Sequence, residues 1–118
     1  MVKQGLAEII DSIKEESHDS VILVEGKRDK EALRKAGISD YAILQVSYKD
    51  ENKIYNEVLL YHRNKVIALY DNDRTGEQKM SKLKSFLCGM GLKLLDYSNS
   101  LNKNGITYIE EIDNRLGL

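Results

Sequence analysis

Proline is absent from this chain of 118 residues, and cysteine occurs once. Without proline, glycine is the residue left to mark turns and helix ends. The single cysteine, Cys88, excludes an internal disulfide and favours a reducing compartment. No run approaches the roughly 20 apolar residues of a membrane span, and residues 1–17 lack the apolar centre of a signal peptide. We therefore expect a cytoplasmic protein with no membrane contact.

A large excess of charge of one sign is also missing, because 18 basic residues face 19 acidic ones and the net charge is −1. The overall balance does not predict nucleic-acid binding, which would need a local basic patch or a bound cation. Charged residues make up 31% of the chain and apolar residues 42%, as is typical of globular proteins. The length predicts one domain of ordinary size.

Apolar residues recur alternately with the spacing of strands and of helices. Two fully apolar runs, 21–24 and 66–70, predict buried parallel strands. Weaker patterns predict strands at 41–46 and 92–95, helices at 2–16, 27–36, 50–62, 75–88 and 106–116, and a loop at 96–105. One helix followed by four β-α units predicts an α/β fold, with a four-stranded parallel sheet flanked by helices on both faces.

Carboxylates follow both fully apolar strands. Asp71 and Asp73 come directly after the run at 66–70, and Glu25 comes after the run at 21–24. In doubly wound folds the first and third strands often adjoin, which predicts the strand order 2-1-3-4 and brings the three carboxylates together. Three such groups share protons or hold a cation, and hard oxygen ligands suit Mg²⁺ or Mn²⁺. The alternative is that the two aspartates are turn residues and a helix N-cap.

Two glycines near these carboxylates predict contacts with phosphate. Gly26 allows a sharp turn and a close approach of the backbone to a ligand. The helix that begins near Lys27 points its free N–H groups into the same crevice, which favours an anion. Gly76 is expected to serve the helix that begins near Thr75 in the same way.

Basic side chains lie beside both acidic stretches. Arg74 is expected to reach a phosphate or to neutralise Asp71 or Asp73. The first stretch opens a basic run that is either a phosphate-binding patch or a solvated helix face. Its members are Lys27, Arg28, Lys30, Arg34 and Lys35, with Lys79 and Lys82 able to extend it. Asp29 lies in the first turn of the same predicted helix, and the sequence allows either a structural role or a role in the site for it.

The sequences EGKRD at 25–29 and DNDRTGE at 71–77 resemble the two signatures of the Toprim domain. That domain is shared by type IA topoisomerases, bacterial-type primases, certain nucleases and recombination proteins. Its signatures are a Glu-Gly after the first strand and, about 40 residues later, an Asp-x-Asp with a glycine three positions on. The first motif is most similar to that of the ribonuclease that matures a small ribosomal RNA, and the second to the topoisomerase form.

The resemblance implies a Rossmann-like Toprim fold in one domain over residues 1–118, with a helix at 1–17 and β-α units at 20–116. It implies that Glu25 is a general acid or base near the metal, and that Asp71 and Asp73 are the Mg²⁺ ligands. The expected function is Mg²⁺-dependent phosphotransfer on DNA or RNA, most simply by a small nuclease. The alternative is a noncatalytic module that binds nucleic acid or a partner protein in RNA processing, replication or recombination.

Two other families share part of the pattern. Asp71, Asp73 and Thr75 after an apolar strand also resemble the opening motif of haloacid-dehalogenase-type phosphatases, although that motif follows the first strand and needs further residues downstream. A receiver domain has an acidic pair after its first strand and one phosphate-accepting aspartate after its third. Glu25 with Gly26, followed later by Asp-x-Asp, fits that arrangement poorly.

Overall fold

Helices and strands alternate along the chain in the computed structural model, which describes residues 5–118. The helices are α1 (Leu6–Glu16), α2 (Lys27–Lys35), α3 (Glu51–Leu59), α4 (Arg74–Gly89), α5 (Ser98–Lys103) and α6 (Ile112–Arg115). The strands are β1 (Ser20–Val24), β2 (Ile43–Gln45), β3 (Lys65–Leu69) and β4 (Lys93–Leu95). Short 3₁₀ turns occupy Asp40–Ala42 and Ile109–Glu111. The predicted helical residues 2–4 lie outside the described part of the chain.

The four strands form one parallel sheet in the order β2-β1-β3-β4, which confirms the predicted order. β1 and β3 lie side by side in the centre of the sheet. Val24, the last residue of β1, is opposite Gln45 of β2 and Leu69 of β3. The two central strands therefore end level with each other, and the residues that follow them emerge at one edge of the sheet.

Both faces of the sheet are covered, because successive side chains of a strand point to opposite sides. Val21 and Leu23 belong to the hydrophobic cluster formed with α3 and α4. Ile22 and Val24 belong to the cluster formed with α1, α2 and the C-terminal helices. All four side chains are fully buried, which explains why β1 is apolar at every position.

The C-terminal part differs from its prediction. Residues 96–105, predicted as a loop, contain α5. Its serines and asparagines are weak helix formers, but Leu101 is 1% exposed, and the Asp96 carboxylate accepts a hydrogen bond from the Ser98 N–H at 2.9 Å. Residues 106–116, predicted as one helix, form a 3₁₀ turn and the single-turn helix α6. Tertiary packing therefore decides the local structure here.

The long helix α4 shows how the helices attach to the sheet. It has 16 residues, and Met80, Leu83 and Leu87 on one side are buried against the strands. Its other positions are mostly exposed. None of the helices in residues 5–118 is both long enough and apolar enough to cross a membrane.

Candidate metal and phosphate site

Glu25 and Asp71 meet at the edge of the sheet where β1 and β3 end. They are 46 residues apart in the sequence, and the Asp71 N–H donates to Glu25 Oε1 over 3.5 Å. Because β1 and β3 end level with each other, the residues that follow the two strands lie side by side. The carboxyl edge of an open parallel sheet is where such folds bind ligands.

Glu25 forms an ion pair that the sequence analysis did not predict. Lys79 Nζ lies 2.8 Å from Glu25 Oε2, and the side chains are 56% and 23% exposed. The hydrogen bond with Glu25 raises the pKa of Lys79, so the lysine stays charged. Lys79 is three positions after Gly76, on the side of α4 that faces the acidic loop.

Asp71 is held by the C-terminal part of the chain. Its Oδ1 accepts a hydrogen bond from the Ile109 N–H at 3.0 Å. Burial raises the pKa of Asp71, and the negative charges of Glu25, Asp73 and Glu110 raise it further, while the Ile109 hydrogen bond opposes the shift. Asp71 therefore sits among like charges, as the sequence predicted, and a cation would stabilise its charged form.

Asp73 is the N-cap of α4, because its Oδ1 accepts a hydrogen bond from the Gly76 N–H at 2.7 Å. The structural role foreseen for one of the two aspartates therefore belongs to Asp73. Gly76 allows this turn, since a Cβ atom there would lie 2.0 Å from the Asp71 carbonyl oxygen. Only glycine fits at position 76, whatever the loop binds.

Gly26 differs from Gly76. The chain bends at Gly26, as expected, but its backbone is extended, with φ −134° and ψ 173°, so the bend needs no conformation reserved for glycine. A Cβ atom at Gly26 would have Asp29 Oδ2 as its nearest neighbour, at 3.9 Å. The fold therefore leaves room for a side chain at position 26, and a requirement for glycine there would have to come from a ligand.

Asp29 contributes a fourth carboxylate close to the site. It is 8% exposed, and its Oδ2 accepts a hydrogen bond from the Gly26 N–H at 3.1 Å. Burial raises the pKa of Asp29 to about 6, the Gly26 hydrogen bond opposes this, and the charges of Asp71 and Glu25 add to it. Asp29 therefore caps the start of α2, and its pKa also depends on the charges of Asp71 and Glu25.

Asn72, between the two aspartates, ties the acidic loop to the C-terminal residues. Its side-chain amide donates to the Ser98 and Ile106 carbonyls at 3.3 and 3.1 Å, and its N–H donates to Thr107 O at 2.6 Å. Sequence reasoning missed this role, because the partners are 26 to 35 residues away and were expected in a loop or another helix.

The basic residues predicted beside the two acidic stretches divide into two groups. Lys27 and Arg74 begin α2 and α4, are exposed, and form no ion pair with residues 5–118. Arg74 therefore does not neutralise Asp71 or Asp73. Lys30 and Arg34 pair with Asp40, and Lys35 pairs with Asp113. The later members of the run thus belong to a solvated, salt-bridged helix face.

The donor atoms suit Mg²⁺, although the carboxylates do not converge on one point. Within the described residues, no three His, Cys, Asp or Glu side chains are grouped closely enough to hold a metal ion. Mg²⁺ usually takes one or two carboxylates, with waters and substrate phosphates as its other ligands. Asp71 and Asp73 each use Oδ1 in a hydrogen bond, which leaves Oδ2 for a cation. The donor atoms therefore fit Mg²⁺, and a cation that used Glu25 as a ligand would have to displace Lys79.

Known protein sequences similar to this chain include a domain family and several curated relatives. Residues 19–95 match the model of the Toprim domain. A UPF0292 protein from Thermococcus sibiricus is 38% identical over 84 residues, which are 71% of this chain and 63% of that protein. A UPF0292 protein from Methanocaldococcus jannaschii is 37% identical over 73 residues, which are 62% of this chain and 56% of that protein. The chain thus spans less than two thirds of the length of these curated relatives.

Solved structures share the fold. A protein from Aquifex aeolicus superposes with a TM-score of 0.83 and 37% identity, over 92% of this chain and 98% of that one. The structure of the zinc-binding and RNA polymerase domains of the Aquifex aeolicus primase superposes with a TM-score of 0.50 and 24% identity. The superposition covers 91% of this chain and 27% of the primase chain. Toprim domains occur in primases and topoisomerases, which indicates a function related to nucleic acids, and they generally bind Mg²⁺. Because the family model spans well over half of the sequence, this chain belongs to the Toprim domain family.

Proposed function

We propose that this chain catalyses Mg²⁺-dependent phosphotransfer on nucleic acid, most simply the hydrolysis of a phosphodiester. The observation that carries the proposal is the meeting of Glu25 and Asp71 at the carboxyl ends of the two central strands. Family membership supports it and argues against the phosphatase and receiver alternatives. Bound Mg²⁺ would polarise a phosphoryl oxygen and stabilise the developing negative charge.

The residues of this chain have distinct proposed roles. Asp71 and Asp73 would hold the cation. Glu25 takes the proton from the attacking water once Lys79 has moved aside, and a solvent water protonates the leaving oxygen on the opposite side of the phosphate. Lys27 and Arg74 contact phosphates on either side of the cleaved bond. Gly26, which precedes α2, has no side chain to cap the helix, and Asp29 takes only the Gly26 N–H, so the N–H groups of the first turn remain for a phosphate oxygen.

The test is cleavage of single-stranded and duplex DNA and RNA in the presence of Mg²⁺ or Mn²⁺. Glu25→Gln is expected to lower the rate about 100-fold or more, because it removes the general acid–base group. Glu31→Gln, on the exposed side of α2, is the matched control and should retain full activity. The absence of divalent-dependent cleavage of all four substrates by the wild type would refute the nuclease proposal.

A second candidate is a noncatalytic Toprim module that binds nucleic acid or a partner protein. The ion pair between Lys79 and Glu25 favours it, because that pair neutralises the proposed general base. This candidate predicts binding of the partner without turnover. The double variant Asp71→Asn, Asp73→Asn separates a metal-dependent form from a metal-independent form, since only the first should lose binding.

A further inference from the structure

A cavity of about 410 Å³ opens beside Glu25, on the side of the sheet covered by α3 and α4. It lies between the loop after β2, which carries Tyr48, and the residues Lys79 and Lys82 of α4. Glu25 and Lys79 line it, so this cavity shares a wall with the proposed catalytic site. Its size falls within the range of about 300–1,000 Å³ that is usual for ligand sites. We call it the Tyr48 cavity.

The floor of the Tyr48 cavity is apolar and includes an aromatic ring. Val46, Ile54 and Tyr70 line it and are 6%, 4% and 5% exposed. Burial raises the pKa of Tyr70, so its hydroxyl stays neutral. A floor of this kind suits a flat ligand whose faces are apolar.

Tyr48 stands at the rim with no packing partner. Its side chain is fully exposed, whereas tyrosine normally buries much of its ring. Its φ is +64°, a left-handed conformation that is uncommon for residues other than glycine, asparagine and aspartate. The turn is closed by a hydrogen bond from the Lys49 N–H to Val46 O at 3.1 Å. The local backbone therefore directs an aromatic ring into solvent at the mouth of a cavity.

The opposite rim is basic. The Lys79 and Lys82 side chains are 56% and 76% exposed, and they lie three residues apart on α4, on neighbouring turns. Lys82 pairs with Glu51 at a longer distance, 3.4 Å, so its ammonium group remains accessible to an anion. The rim thus combines an exposed aromatic face with two exposed lysines, each paired with a glutamate of the cavity wall, and aromatic faces beside cationic groups are the combination that binds single-stranded nucleic acid.

We propose that the Tyr48 cavity binds a nucleotide of a single-stranded nucleic acid, next to the phosphate held at Glu25. The base stacks on Tyr48 above the apolar floor, and the flanking phosphate contacts Lys82. A paired base in a duplex has its faces covered by its neighbours, so the cavity selects single strands. The proposal rests on the proposed function in one respect, that a phosphate of the same strand reaches the site at Glu25.

The test is the fluorescence anisotropy of a labelled single-stranded oligonucleotide, titrated with protein in EDTA so that no cleavage occurs. Tyr48→Ala is expected to weaken binding about 5- to 150-fold, the effect of losing one stacked base. Tyr48→Phe, which keeps the ring, should bind like the wild type. Lys82→Ala should weaken binding and reduce the slope of log K against log salt by about 0.7, as for one phosphate contact.

The matched control is Tyr41→Ala. Tyr41 is 66% exposed but precedes β2, at the end of the strand far from Glu25, and should not affect binding. A duplex of the same sequence should bind more weakly than the single strand and be insensitive to Tyr48→Ala. Equal binding of single strands by wild type and Tyr48→Ala, equal losses for Tyr41→Ala and Tyr48→Ala, or no binding by the wild type would each overturn the proposal.

The result is independent of the proposed catalysis. If single strands bind through Tyr48 but are never cleaved with Mg²⁺ or Mn²⁺, the nuclease proposal fails, whereas the proposal that the Tyr48 cavity binds single strands is supported. If nucleic acid is cleaved but Tyr48→Ala binds single strands as well as the wild type, the cavity proposal fails and the nuclease proposal stands.

Discussion

Replacement of Lys79 by alanine tests the relation between the ion pair and the cation. In the structure Lys79 Nζ lies 2.8 Å from Glu25 Oε2, where its positive charge balances the carboxylate. A divalent cation that uses Glu25 must displace this ammonium group. We therefore expect Lys79→Ala to bind Mn²⁺ more tightly than the wild type.

The size of the effect follows from the exposure of the pair. Because the Lys79 side chain is 56% exposed, solvent screens the interaction, and such pairs contribute about 1 kcal/mol or less. The dissociation constant for Mn²⁺ should then fall by up to about fivefold. The gain should shrink as salt is added, because the Debye length falls from about 10 Å at 0.1 M to about 3 Å at 1 M.

The assay is the electron paramagnetic resonance signal of free Mn²⁺, measured without nucleic acid so that catalysis plays no part. Lys82→Ala is the matched control, since Lys82 is on the same helix but pairs with Glu51. Asp71→Asn should weaken binding in either background. An unchanged affinity for Lys79→Ala, or an equal gain for Lys82→Ala, would contradict the view that Lys79 competes with the cation for Glu25.

Two further predictions concern stability, measured by urea unfolding. Gly76→Ala should destabilise the fold by about 2–4 kcal/mol, because the new Cβ would lie 2.0 Å from the Asp71 carbonyl oxygen. Gly26→Ala should destabilise it by about 1 kcal/mol or less. Similar losses of stability for the two variants would contradict this account of the two glycines. Asp29 has a raised pKa of about 6 in the folded chain, so its contribution to stability is present at low pH and is lost as pH rises from about 4 to about 6. Asp29→Asn should remove that loss of stability, which is on the order of 3 kcal/mol, and an unchanged pH profile would refute this assignment.

The central part of the fold was predictable because its signals are local. β1 and β3 are continuous apolar runs, and only a strand buried on both faces needs such a run. Their adjacency followed from the doubly wound topology, which then brought Glu25 beside Asp71. α5 was missed because its sequence favours turns, and its stability comes from packing of Leu101 that no local pattern reveals.

The partners of the site residues were harder to predict than the residues themselves. Glu25 and Lys79 are 54 positions apart, and Asp71 and Ile109 are 38 apart, so both contacts depend on the tertiary fold. Gly26 and Gly76 look equivalent in the sequence, yet only Gly76 is required by its neighbours in space. A sequence pattern identifies the chemistry of a group, whereas the surrounding structure decides what that group already binds.

The hydrogen bonds of the acidic loop have a consequence for how the site can vary. Asn72 and Asp71 are held by Thr107 and Ile109, which lie beyond the region 19–95 shared with the family model. The position of the Asp71 carboxylate is therefore set partly by residues outside the shared region. Substitutions there can move the carboxylate while leaving both signature motifs intact. Two proteins with identical motifs can thus hold their aspartates differently, and the motif alone does not define the geometry of the centre.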